Sequence, residues 1–154
     1  MAGKYNILVT GGAGYIGSIL VPHLIDLGHT VTVLDNFIFK QNSLSQACIE
    51  PKFQIVRGDA RDVSNLRPLT KDADIIIPLA ALVGAPLCDT DVLGASSTNY
   101  EAIKTLLSLL SKEQKVLIPI TNSGYGVGAK DKLCDGETPL RPITHYGKTK
   151  VQAE

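Results

Sequence analysis

The chain has 154 residues, and its 15 Lys and Arg balance its 15 Asp and Glu. A balanced chain offers no summed field to draw a nucleic acid or a membrane surface, so neither is expected as a partner. Hydrophobic residues make up 44% and aromatics only 5%, which predicts an aliphatic core in one domain of ordinary size. No apolar run approaches the roughly 18 residues of a membrane span. The N-terminal "MAGKYNILVT" meets glycines too soon for a secretory signal. Cys48, Cys88 and Cys134 are odd in number and lack metal-ligand spacing, so free thiols in a reducing cytoplasm and no metal site are expected.

In chain order, "YNILVT" (residues 5–10) is a β-rich run ending in glycines and predicts the first strand. "YIGSILVPHLIDLG" (15–28) has apolar residues at helical spacing and a terminal glycine, with Pro22 as a point of expected irregularity. "TVTVLD" (30–35) predicts a second strand and "FQIVRGD" (53–59) a third, followed by a short helix over 63–69. "ADIIIPLAA" (73–81) predicts a fourth strand and its exit loop. Residues 93–110 predict one long amphipathic helix, "KVLIPIT" (115–121) a fifth strand, and Thr144 the start of a last helix. Strands alternating with helices predict an α/β fold with a doubly wound parallel sheet.

The first turn reads "TGGAGYIG" (10–17). Gly11 permits the tight turn, Gly14 lets the backbone approach a pyrophosphate, and Gly17 lets the helix pack on the strand. The helix N-terminus then offers free N–H groups to phosphate. Asp35 closes the second strand about 20 residues on, where a carboxylate accepts from a ribose 2′-OH and repels a 2′-phosphate. The expected cofactor is NAD. The last helix holds "YGKTK", in which Tyr146 and Lys150 leave one helix face. A cation there favours phenolate.

These stretches together resemble the extended branch of the short-chain dehydrogenase/reductase superfamily, which includes NAD-dependent nucleotide-sugar epimerases and dehydratases. Its glycines are spaced three and three, as are Gly11, Gly14 and Gly17. "GDARD" (58–62), "LAA" (79–81) and "TNYEAIKTLL" (98–107) match further family segments. "YGKTK" matches the YxxxK motif. Pro78 stands where many relatives carry His, which is expected to affect packing. The resemblance implies a Rossmann fold spanning residues 1–154, with the substrate domain expected beyond them and a homodimer in full-length form. It implies cofactor contacts from Gly11, Gly14, Tyr15, Ile16, Gly17, Asp35, Asn36, Asp59, Ala60, Leu79, Ala80, Ala81, Asn99, Tyr146 and Lys150.

The resemblance also implies a mechanism. Tyr146 serves as acid/base at a sugar hydroxyl, Lys150 tunes the phenol and contacts the nicotinamide ribose, and a hydroxyl residue at the end of the fifth strand bonds the same sugar oxygen. Aligned on Tyr125-Gly126, that residue is Thr121, with Ser123 the alternative. Sugar-nucleotide 4,6-dehydratases hold an acid in the next two positions, which here are Asn122 and Ser123. Neither acts as a carboxylate near neutral pH. A nucleotide-diphosphate sugar is therefore the expected substrate, oxidised, reduced or epimerised at C4. "NSGYG" and "PLAALVGAPLC" also resemble bacterial enzymes acting on GDP-linked heptoses for surface polysaccharide. The competing expectation, a non-catalytic NAD(P)-sensing regulator of the same fold, sits less well with a chain that keeps Thr121, Tyr146 and Lys150.

Overall fold

The computed structural model describes residues 3–128 and 133–154. Its strands are β1 (Asn6–Thr10), β2 (Thr30–Asp35), β3 (Phe53–Arg57), β4 (Ile75–Pro78) and β5 (Lys115–Val116). Its helices are α1 (Gly17–Asp26), α2 (Val63–Thr70), α3 (Ala85–Thr90), α4 (Val92–Ser96), α5 (Ala102–Ser108) and α6 (His145–Ala153). The five strands form one parallel sheet in the order β3-β2-β1-β4-β5, a doubly wound α/β arrangement of the Rossmann kind. The chain divides into two compact units, Met1–Ala80 with Thr105–Ile118, and Ala81–Lys104 with Pro119–Glu154.

The first unit is the sheet and its cover. Side chains alternate along each strand. Ile7, Val9, Val31, Val33 and Ile77 therefore face one layer, where they pack with Val21 and Ile25 of α1. Leu8, Leu34 and Ile76 face the other, with Leu66 of α2 and Leu106 of α5. Burial on both faces explains why these strands read as continuous aliphatic runs. In register, Val9 stands opposite Val33 on one side and Ile77 on the other. That pairing sets the end of β1, Thr10, opposite Leu34, one residue before the end of β2. α1 runs through Pro22 and leads into Gly28 at φ +87°.

β5 corrects the expected strand over 115–121. Its ladder comprises Ile75↔Lys115 and Ile76↔Val116, and its last bond is from Leu117 N–H to the Ile76 carbonyl at 2.9 Å. The next donors in this register would be Pro119 and Pro78. Neither has an N–H, so the ladder stops.

The second unit holds α3, α4, α6 and a 3₁₀ turn at Asn122–Gly124. The single helix expected over 93–110 is three pieces. α4 runs into a π-helical turn, Ser97–Glu101, which leads directly into α5. A π turn changes the helical phase by one residue and is common at functional sites. α3 was not anticipated, because its six residues after Gly84 are too few to show a period. No helix among the described residues is long and apolar enough to cross a membrane.

Candidate functional site

In the first unit the glycine loop leaves β1 with Gly11 at φ +71°, its N–H donating to the Leu34 carbonyl at 2.7 Å. A Cβ on Gly11 would collide with the backbone of Ala80, and one on Gly17 with the Gly12 carbonyl. Both positions therefore need glycine for close approach of main chains. Gly14 differs, since a Cβ there would meet only the Gly11 carbonyl oxygen, at 3.2 Å. α1 begins after Ile16 with no side-chain cap. The N–H groups of Tyr15 and Ile16 find no acceptor among the described residues, and both side chains are exposed. An uncapped helix start of this kind is an anion site in waiting.

Asp35 is tied into the same loop. One carboxylate oxygen accepts from Ala13 N–H at 3.0 Å and the other from Phe37 N–H at 2.8 Å. Ser43, which sequence reasoning missed, donates to the Ala13 carbonyl at 2.6 Å, so the Ala13 peptide is held on both sides. Nothing local in the sequence marks Ser43, which lies 30 residues from its partner. Asn36 uses its Oδ1 on Ile38 N–H at 3.0 Å. The Asp59 carboxylate is engaged by Arg61, whose hydrogen bonds hold it below the usual carboxylate range. Ala60 follows Asp59 in this turn and is half-buried. Leu79 N–H donates to the Thr10 carbonyl at 2.8 Å, which carries Leu79 and Ala80 off the end of β4.

In the second unit Asn99 lies in the π turn and is 1% exposed. Its Oδ1 accepts from Leu82 N–H at 2.8 Å, while Nδ2 donates to the Leu82 carbonyl at 2.9 Å and to Thr149 Oγ1 at 3.3 Å. The amide is satisfied within the protein and offers a cofactor almost no surface. Asn99 instead clamps the loop that follows Ala81. Thr149 was also missed by the sequence reading. Its hydroxyl donates to the Tyr146 carbonyl at 3.0 Å, so it links the clamp to α6.

α6 begins at a Thr144 cap, whose hydroxyl accepts from Gly147 N–H at 3.0 Å. A Cβ on Gly147 would stand 2.8 Å from the Ser123 carbonyl oxygen, and one on Gly124 would stand 3.0 Å from Val151. The 3₁₀ turn after Thr121 therefore lies flat on the helix that carries Tyr146 and Lys150. Thr121 Oγ1 accepts from Ser123 N–H at 3.2 Å, which leaves its own proton free to donate. Ser123 is half-buried and contributes main-chain groups to this turn. Lys150 is 6% exposed, and burial pushes its ammonium below the ordinary lysine value. Among the described residues neither the Tyr146 phenol nor the Lys150 ammonium has a hydrogen-bond or ion-pair partner. No cluster of His, Cys, Asp and Glu fit for a metal ion occurs among them either.

A family model described as the NAD dependent epimerase/dehydratase family matches residues 7–154. The chain belongs to this family. It is 33% identical over 157 residues to the low-salt glycan biosynthesis protein Agl12 of Haloferax volcanii, covering 97% of this chain and 49% of that one. It is 30% identical over 153 residues to a UDP-glucose 4-epimerase of Lactobacillus helveticus, covering 97% of this chain and 45% of the relative. Among solved structures, a dTDP-glucose 4,6-dehydratase of Bacillus anthracis in complex with NAD superposes with a TM-score of 0.85 at 28% identity, covering 97% of this chain and 48% of that one. The chain thus spans about half the length of the relatives it matches. The first unit fits the family's cofactor: Gly14 leaves room above an uncapped helix start, and Asp35 presents an anchored carboxylate.

Proposed function

We propose that the protein is an NAD-dependent nucleotide-sugar epimerase or oxidoreductase working at sugar C4, with Thr121, Tyr146 and Lys150 as its catalytic residues. The observation that carries this reading is Lys150. A buried cation with no counter-charge costs stability, and such a group one helical turn from a phenol without a partner is the mark of a working site. Gly11, Gly14 and Gly17 with the first turn of α1 would hold the pyrophosphate, and Asp35 the adenosine ribose hydroxyls. NAD, when bound there, would supply the hydride acceptor and donor for the sugar carbon.

The protein's own groups do the rest. Tyr146 takes the proton of the C4 hydroxyl as a general base and returns it as a general acid, with the Lys150 ammonium one helical turn further along α6. Thr121 donates its free hydroxyl proton to the same sugar oxygen. The buried Lys150 keeps its charge effective, because a low-dielectric setting screens it less than water does.

Asn122 and Ser123 support the finer reading. Elimination of water needs a carboxylic acid or carboxylate beside the sugar, and neither side chain supplies one. The similarity to a dTDP-glucose 4,6-dehydratase extends over the fold, whereas this reading rests on the two side chains after Thr121. A GDP-linked heptose destined for a surface glycan is the narrower substrate we favour, on "NSGYG" and "PLAALVGAPLC". The name of the Haloferax relative, a glycan biosynthesis protein, is in keeping with that destination.

The test is mass analysis of products from the full-length enzyme supplied with NAD and a panel of UDP- and GDP-linked hexoses and heptoses. A product isomeric with its substrate, or lighter by two hydrogens, is expected. A product lighter by one water would contradict the reading of Asn122 and Ser123.

A further inference from the structure

α6 is held at its first residue by a polar tie that the family motif does not contain. His145 directs Nε2 at two oxygens of α4, the Val92 carbonyl at 3.2 Å and Ser96 Oγ at 3.0 Å. A carbonyl only accepts, so Nε2 carries the proton, and Ser96 Oγ shares that N–H as a second acceptor. Val92 and Ser96 are one turn apart on α4, so the ring sits across a single helix face. Tyr146 is the next residue. Its carbonyl is fixed separately by Thr149, which in turn accepts from Asn99.

We propose that His145 is a positioning residue for Tyr146. Its bond to Val92 and Ser96 sets the rotation of the first turn of α6 and so aims the phenol. The proposal rests on reading Tyr146 as the acid/base. A backbone carbonyl fixed on one side leaves a helix end free to roll about its axis; a second anchor one residue earlier removes that freedom. A ring that merely filled space would need no N–H. Here the N–H meets two acceptors, so the donor is what the site uses. Acid/base groups lose rate steeply when misplaced by about 1 Å, and this is the loss that His145 prevents.

The test uses three substitutions in the full-length enzyme, with whichever sugar nucleotide of the panel above it turns over. His145→Phe keeps bulk without the donor. His145→Gln puts an amide N–H close to the place of Nε2. Ser96→Ala removes one acceptor. His145→Phe should lower kcat about tenfold or more, with KM and NAD affinity within about twofold. His145→Gln should restore most of the rate. Ser96→Ala should add nothing in the His145→Phe background, because both remove the same bond.

Amide exchange of the Gly147–Val151 segment in the ligand-free protein gives a reading without turnover. It should quicken in His145→Phe and Ser96→Ala and recover in His145→Gln. If His145→Phe does not fold, Ser96→Ala and His145→Gln carry both measurements. Equal damage from Phe and Gln, or exchange and kcat unchanged in every variant, would overturn the proposal. Tyr146→Phe is the control. If it keeps full turnover, the acid/base reading fails; if it loses turnover while the His145 variants do not, the positioning role alone fails.

Discussion

Lys150 carries its charge into a place where only 6% of the residue meets solvent, and burial lowers its proton affinity. The folded state therefore binds that proton less tightly than the unfolded chain does. Over the window between its lowered value and the ordinary 10.5, the unfolded state holds more protons, and stability gains with rising pH. Lys150→Met should abolish that gain and leave the protein at least as stable at neutral pH, since an apolar group replaces a desolvated cation. Thermal unfolding across this range checks it; a variant clearly less stable at neutral pH would show that the ammonium has a stabilising partner. Asp35 gives a second test. Its oxygens anchor Ala13 and Phe37, and in the proposed function its charge repels a 2′-phosphate. Asp35→Ala should weaken NAD binding and narrow the preference over NADP, read by titration of both. An unchanged ratio would show that selection lies elsewhere. The positions of Asp35 at the end of β2 and of Tyr146 and Lys150 on α6 follow from the sequence pattern; their roles stay with the proposed function. For Asn99 the sequence cannot show that its amide is already satisfied by Leu82 and Thr149.

Elements were legible where the period was local. β1 to β4 and α1 follow from local runs of aliphatic residues, with glycines close to β1, β2, β3 and α1, and β2 matches its expected bounds. The end of β5 was not seen, although Pro78 and Pro119 were in plain view, because their effect depends on which residues pair across the ladder. The π turn was also out of reach, since its Asn99 bonds Leu82, 17 residues away. That turn carries its own prediction. Asn99→Ala leaves the half-buried N–H of Leu82 without its partner and the Leu82 carbonyl with the Cys88 thiol alone, at a cost of about 1–3 kcal/mol for an unmet group. A lowered melting temperature and faster amide exchange at Leu82 should follow. If both hold at their original values, the clamp is not what fixes the loop after Ala81.

The sheet, the glycine loop and Asp35 give a dinucleotide-binding unit, and family membership follows from the match over residues 7–154. The second unit brings the Thr121 turn against the helix of Tyr146 and Lys150 through Gly147 and Ser123. Family and fold were legible because glycine spacing, strand order and YxxxK are all short-range signals. The substrate was not, because relatives that share this half of their length are named for different reactions and different nucleotides, a UDP-glucose 4-epimerase and a dTDP-glucose 4,6-dehydratase among them. Proton transfer by Tyr146 is the central step of the proposed function, and kcat of the Tyr146→Phe enzyme beside its NAD affinity tests it most directly. The ring remains, and the glycine loop is untouched. Turnover should fall by about 10²–10⁴-fold, the range of a general acid/base contribution, while NAD affinity stays within about twofold. Turnover within about twofold of the unmodified enzyme would contradict the catalytic reading.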